Sequence, residues 1–157
     1  VRKMADMPAL KVGIISCSGE ARMEGALSRI ATRLVLEKLR PGKTVTICLP
    51  LFLAGGEEER NFARHFPTLA VDGCEKLCAK IGTEKYSGKV ADVVIVSDFI
   101  KQWKSKFPVS SLLGRENLST VGEEELRLAS RIAEEIALKV DDILEKFNYD
   151  YQKYRES

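Results

Sequence analysis

Four thiols carry most of the chemistry this chain could do: Cys17, Cys48, Cys74 and Cys78. Cys74 and Cys78 lie four residues apart in the stretch Val71-Asp72-Gly73-Cys74-Glu75-Lys76-Leu77-Cys78-Ala79. A helix starting there would carry both sulfurs on one face, at about the separation a single metal ion bridges. Cys17 and Cys48 each close an apolar run upstream and could complete the set from neighbouring strands. Zinc takes four thiolate or imidazole ligands in a closed tetrahedron, and the chain offers four cysteines and one histidine, His65. An iron–sulfur cluster also takes four thiolates and is the second choice. Zinc with four thiolates has a net charge of about −2, which helix N-terminal amides near Cys74 and the Ser18-Gly19 turn can offset. Asp72 fits an N-cap with Glu75 three residues on, and Gly73 fits the tight turn before it. The plain alternative is a set of ordinary buried thiols, since free cysteine is among the most buried residue types.

The same residues suit other chemistries less well. As a nucleophile, Cys17 stands in a strand–turn–helix layout that resembles low-molecular-weight phosphatases, but Arg22 falls one residue short of the required place, which Met23 occupies. A thiol-redox or sulfur-handling enzyme using Cys17, Cys74 and Cys78 is the stronger alternative, although the usual Cys-x-x-Cys spacing is absent. Ser18-Gly19-Glu20-Ala21-Arg22 matches neither a dinucleotide fingerprint nor a phosphate loop. His65, beside Phe66, reads as a surface or capping residue. Lys101, Lys104 and Lys106 around Trp103 read as a solvated face with one buried ring, so nucleic acid is not an expected partner. Asp98 could line the cysteine crevice or cap a turn.

Composition bounds the class. At 157 residues with 45% hydrophobic and 31% charged side chains, the chain reads as one globular domain able to bury a core without crosslinks. A net charge of +2 points to no polyanionic partner. Four cysteines in this length are too sparse for a disulfide scaffold, which favours reduced thiols and a cytoplasmic location. Ile14-Ile15-Ser16-Cys17 imitates a lipoprotein cleavage box after Arg2 and Lys3, but Asp6 and Lys11 interrupt the apolar run such a signal needs. No membrane partner is expected.

The elements that must position the thiols follow from periodicity. Val1 to Ala9 reads as a mobile lead-in. Leu10 to Ser16 reads as a strand buried on both faces, and Glu20 to Leu39 as a helix ended by Pro41-Gly42. Thr44 to Leu49 reads as a second strand that ends near Cys48, before Pro50. Ala54-Gly55-Gly56 reads as a joint and Glu57 to Phe66 as a helix or helical lid. Thr68 to Val71 makes a third strand, running into a helix from Cys74 to about Ile81. Lys89 to Ser97 makes the fourth strand, and Phe99 to Ser119 is expected to be irregular with a short helix. Thr120 and Glu123 fit a capping box that opens a long helix, whose stripe from Leu126 through Ile136 to Phe147 should cover the sheet or in part form a homodimer seam. Alternating strands and helices with long connections predict an α/β fold of three layers, Rossmann-like, with a mostly parallel sheet. Ligands gather at the carboxyl ends of such strands, where Cys17, Cys48 and Cys74 fall.

Cys17-Ser18-Gly19, Cys48 and Asp72-Gly73-Cys74 with Cys78-Ala79 together resemble the DGC family of zinc-binding proteins, named for that tripeptide and marked by four cysteines. The resemblance covers roughly residues 10 to 100. It implies Cys17, Cys48, Cys74 and Cys78 as zinc ligands, shaped by Ser18, Gly19, Asp72 and Gly73, and it supplies no reaction. A closed shell of four thiolates favours a structural or metal-handling role, while an open three-cysteine site could activate a small molecule at the strand ends.

Overall fold

The computed structural model describes residues 9–19, 22–104 and 122–156. Its centre is a sheet of four strands, β1 (Val12–Ser16), β2 (Thr44–Thr46), β3 (Thr68–Asp72) and β4 (Asp92–Ile95), all parallel, in the spatial order β2-β1-β3-β4. Both faces are covered because strand side chains alternate. Ile14, Leu69, Val71 and Val94 enter one core, while Ile15, Ala70 and Val93 enter the other.

The first core lies under α1 (Met23–Leu34), α6 (Val96–Lys104) and α7 (Glu123–Glu156). Leu128, Ala129, Ile132, Ala133, Ile136, Val140 and Ile143 recur at helical spacing, all buried, so the apolar stripe of α7 covers the sheet. Full burial of a residue such as Ile136 contributes about 1.5–3 kcal/mol. Two ion pairs pin α7 in place: Arg40 grips Asp141 through two hydrogen bonds of 2.7 and 2.6 Å, and Lys139 reaches Asp92 at 2.7 Å. Trp103 is engaged by the Arg131 guanidinium 4.7 Å from its ring and by Phe99. The second core is smaller. It lies under α2 (Leu49–Ala54), α4 (Phe62–His65) and α5 (Cys78–Tyr86), with α3 (Glu57–Arg60) between the first two.

Several elements depart from expectation for local reasons. The first helix ends in a π-helical turn, Val35–Leu39, in which the Arg40 amide bonds to Val35 O at 2.8 Å. The segment after Cys48 is a helix, α2, because Pro50 sits in its first turn, where its missing N–H has no partner to lose. The expected helix over Glu57 to Phe66 is broken at Asn61 into α3 and α4. β4 ends at Ile95, and α6 begins at Val96, so Asp98 is an exposed first-turn residue facing Lys101 rather than a strand end. Thr120 and most of the stretch expected to be irregular lie outside the described residues. So does the lead-in up to residue 8. At the described start of α7, the Gly122 amide donates to Glu125 at 3.0 Å.

Candidate thiol site at the switch point of the sheet

The strand order places a crevice between β1 and β3: the chain leaves β1 toward β2 on one side, then returns to build β3 on the other. Cys17 follows β1, and Asp72-Gly73-Cys74 ends β3. Register sets them side by side, with Ser16 opposite Val71 and the Cys17 amide donating to Val71 O at 3.0 Å. The Gly73 amide then points back and donates to Cys17 Sγ at 3.2 Å.

Three glycines make that approach possible. A Cβ on Gly25, in the first turn of α1, would stand 2.2 Å from the Gly19 Cα, and one on Gly73 would stand 2.7 Å from the Gly25 N. Backbone packs on backbone, which only glycine permits. Gly19 also has φ +55, in the left-handed region. The Cys17-Ser18-Gly19 turn, the start of α1 and the Asp72-Gly73 turn are thus one packed unit.

Cys17 is 7% exposed, and its Sγ lies 3.5 Å from Ser28 Oγ. Ser28 donates its own proton to Gly25 O at 2.6 Å, so in this contact the Cys17 thiol is the donor. Burial pushes the Cys17 thiol above its ordinary value, against the opposing effect of the Gly73 amide, which donates to the sulfur; nearby Asp72 adds to the rise.

Asp72 shapes the site differently from the sequence expectation. The helix does not begin at Cys74. Residues 73–77 form a turn, Leu77 adopts φ 54, and α5 starts at Cys78. Asp72, 1% exposed, caps that later start across the turn, accepting the Ala79 amide on Oδ1 at 2.7 Å and the Lys80 amide on Oδ2 at 3.0 Å. Burial raises its carboxyl group above the ordinary range although both amides oppose this. The cap holds by reaching seven residues forward rather than by a local box with Glu75.

A cavity of about 360 Å³ opens between these parts, lined by Cys17, Cys74 and Cys78 together with Ser18, Gly19, Gly73, Arg22, Glu24 and Lys76. Arg22 is the uncapped N-terminal flank of α1 and pairs with Glu24 at 3.4 Å. The positive end of α1 and two cations therefore border the sulfurs. Glu24 and Ser28 escaped the sequence reading, although a signal was present: Glu24, Leu27, Ser28 and Ala31 stand at i, i+3, i+4 and i+7, and all are fully buried. Polar residues on a buried stripe mark a site. Gly25, inside the same helical run, was the second sign.

Cys48 does not line this cavity. It occupies the N-cap position of α2 in extended conformation without a side-chain capping bond, is exposed, and lines a separate open groove with Ser16, Thr46 and α1. Parity is the reason: Ile47 packs in the α2/α5 core with Ile15 and Cys17, so the next residue faces the other side of the sheet. His65 is exposed on α4 and lines a different hollow. Among the described residues no group of three or more His, Cys, Asp or Glu is drawn together closely enough to hold a metal ion. Three thiols around one cavity fit a soft ion by donor type, and they are not assembled into a coordination shell.

A family model described as DGC domain matches residues 13–124. No curated protein and no solved structure matches the chain significantly. No helix among the described residues is long and apolar enough to cross a membrane.

Proposed function

The chain belongs to the DGC domain family, and from that premise we propose that it binds zinc through Cys17, Cys74 and Cys78 in the crevice between β1 and β3. One observation carries the reading: thiols from two segments more than fifty residues apart line the same cavity at the topological switch point. Zinc would supply a soft Lewis-acidic centre there, with a fourth position left to water or a small molecule. The chain's own part is to stabilise thiolates. The Gly73 amide already donates to Cys17 Sγ, and Arg22, Lys76 and the start of α1 bring positive charge to the cavity. Both apolar cores close without any contribution from Cys48, Cys74 or Cys78. The ion is therefore cargo or reagent rather than the keystone of the fold, and metal handling is the favoured role. Reduced thiols of this kind suit the cytoplasm.

A second reading, a thiol-redox or sulfur-handling enzyme, is favoured by the Gly73 amide on Cys17, which would support a thiolate nucleophile equally well. Elemental analysis of anaerobically purified protein separates the two, combined with thiol titration before and after chelation. One zinc per chain, with three protected thiols and Cys48 still reactive, supports the zinc reading. Coloured, iron-containing protein would replace it with a cluster, and metal-free protein with a reversible Cys74–Cys78 disulfide would replace it with redox chemistry.

A further inference from the structure

Three sulfurs border the crevice between β1 and β3: those of Cys17, Cys74 and Cys78. The other candidate donors are placed or engaged elsewhere. Cys48 lines the separate groove, and His65, the chain's single histidine, lines another hollow. Asp72 accepts the Ala79 and Lys80 amides on its two oxygens, and Glu24 is held by Arg22. Zinc takes four ligands, so this donor set is one short of filling its shell. Charge is a second mismatch: zinc with three thiolates carries about −1, beside the enclosed carboxylates of Asp72 and Glu24. A trivalent centre with a lone pair matches on both counts. Three sulfurs in a pyramid saturate it, three thiolates cancel its charge, and thiolates suit a soft centre.

The sulfurs are also tethered to converge. The Gly73 amide holds Cys17 Sγ at 3.2 Å one residue before Cys74, and Asp72 fixes α5 one residue past Cys78. Cys78 is near enough to Cys17 to act on it electrostatically. Residues 73–77 form the turn that carries Cys74, with Leu77 at φ 54, a region that disfavours leucine. Movement of that short turn brings Cys74 onto the other two. The cavity, at about 360 Å³, is large against the ~30 Å³ share of a water molecule and admits a small neutral acid.

We propose that Cys17, Cys74 and Cys78 capture a trivalent metalloid presented as its neutral hydroxide, arsenous acid being the type. The step is condensation. Each sulfur replaces one hydroxyl on arsenic: an As–S bond forms, an As–O bond breaks, and the thiol proton leaves with the hydroxide as water. Three exchanges release three waters, and nothing is oxidised or reduced. The product is neutral, so the enclosed site is left with no added charge to desolvate. The inference rests on the convergence of sulfurs that also carries the zinc reading, and it does not need zinc to bind.

The full chain, reduced and stripped of metal, is titrated with arsenite and separately with phenylarsine oxide, whose two exchangeable positions take two thiols. Native mass spectrometry counts arsenic per chain, X-ray absorption counts its sulfur neighbours, and thiol labelling with peptide mapping finds the protected cysteines. The expected result is one arsenic per chain with three sulfurs and no oxygen in its shell, and Cys48 still reactive. Cys17→Ser should weaken arsenite by more than about tenfold, since even a supporting residue contributes that much at a bound centre. Phenylarsine oxide should stay on Cys74 and Cys78 as before. An As–O bond retained in the unsubstituted chain, with Cys17 still labelled, would overturn the proposal, because any two neighbouring thiols give that result. Protection of Cys48 in place of Cys17 would do the same, as would absence of binding. The shell count in the unsubstituted chain decides the matter even if Cys17→Ser fails to fold. Zinc uptake is measured alongside by competition with a chelator. Arsenic held by three sulfurs without zinc uptake would remove the zinc reading and leave this one, and zinc uptake without arsenite binding would do the reverse. Zinc and arsenic bound together on one chain would show that they do not share the sulfurs, which also overturns the proposal.

Discussion

Cys17 and Cys48 follow neighbouring parallel strands, yet they end in opposite surroundings. Cys17 is enclosed, held by the Gly73 amide and Ser28, and shares a cavity with Cys74 and Cys78. Cys48 is exposed on the other face, in a groove bordered by arginines. Being at a strand's carboxyl end is thus not sufficient to join a site there. The parity of the residue along its strand chooses the face, and the strand order chooses the neighbours.

That contrast can be broken most decisively at the sulfurs. Cys17→Ser should lower zinc affinity by more than the ten- to hundredfold that losing a supporting residue costs, whereas Cys48→Ser should leave stoichiometry and affinity unchanged. Titration with a zinc-competing chelator measures both. If Cys48→Ser released the metal, the division of the two faces would be wrong.

Next in size is the packing that encloses Cys17. Gly25→Ala places a methyl against the Gly19 backbone, so the helix-favouring change should destabilise by about 3 kcal/mol in urea unfolding. Gly42→Ala, at φ +75 with open space around it, should cost about 1 kcal/mol through backbone strain alone. Equal losses would mean that the glycine contact does not build the crevice.

Asp72→Ala removes the acceptor for two amides at the start of α5, and the expected loss is about 2 kcal/mol, with zinc affinity falling as Cys78 loses its anchored helix. Circular dichroism melts and the same chelator titration read the two effects.

The smallest effect lies far from either thiol. Arg40 holds the Asp141 carboxyl below its ordinary range, chiefly through the hydrogen bonds between them. A depressed carboxyl pKa contributes stability that is present above the unfolded value and is lost as pH falls through the folded value. Asp141 is 42% exposed, so screening keeps the contribution under about 1 kcal/mol. Asp141→Asn should flatten the acid limb of the stability curve slightly and leave both thiol regions untouched.

Much of this was legible in the chain. Leu10 to Ser16, Thr68 to Val71 and the valine-rich run near Val94 announced buried parallel strands, because continuous apolar sequence suits a strand covered on both sides. The stripe through Ile132, Ile136 and Val140 announced the helix that covers one face. The family followed from Cys-Ser-Gly and Asp-Gly-Cys-x-x-x-Cys-Ala in that order. Less legible was the start of α5, because a capping side chain seven residues upstream lies outside any local capping rule. The helix after Cys48 was hidden by reading Pro50 as a stop rather than as a first-turn residue.

The sequence by itself determined the residue chemistry of this protein: four thiols, Gly73 beside Cys74 and Gly19 two residues past Cys17, and strands to carry three of the thiols to one edge of a sheet. Only the tertiary structure decided which thiols line a common cavity. Strand order and side-chain parity are properties of the assembled sheet, and they set Cys17 with Cys74 and Cys78 while turning Cys48 away. The burial of Glu24 and Ser28 was decided there too, since a helix has a buried side only once something packs against it.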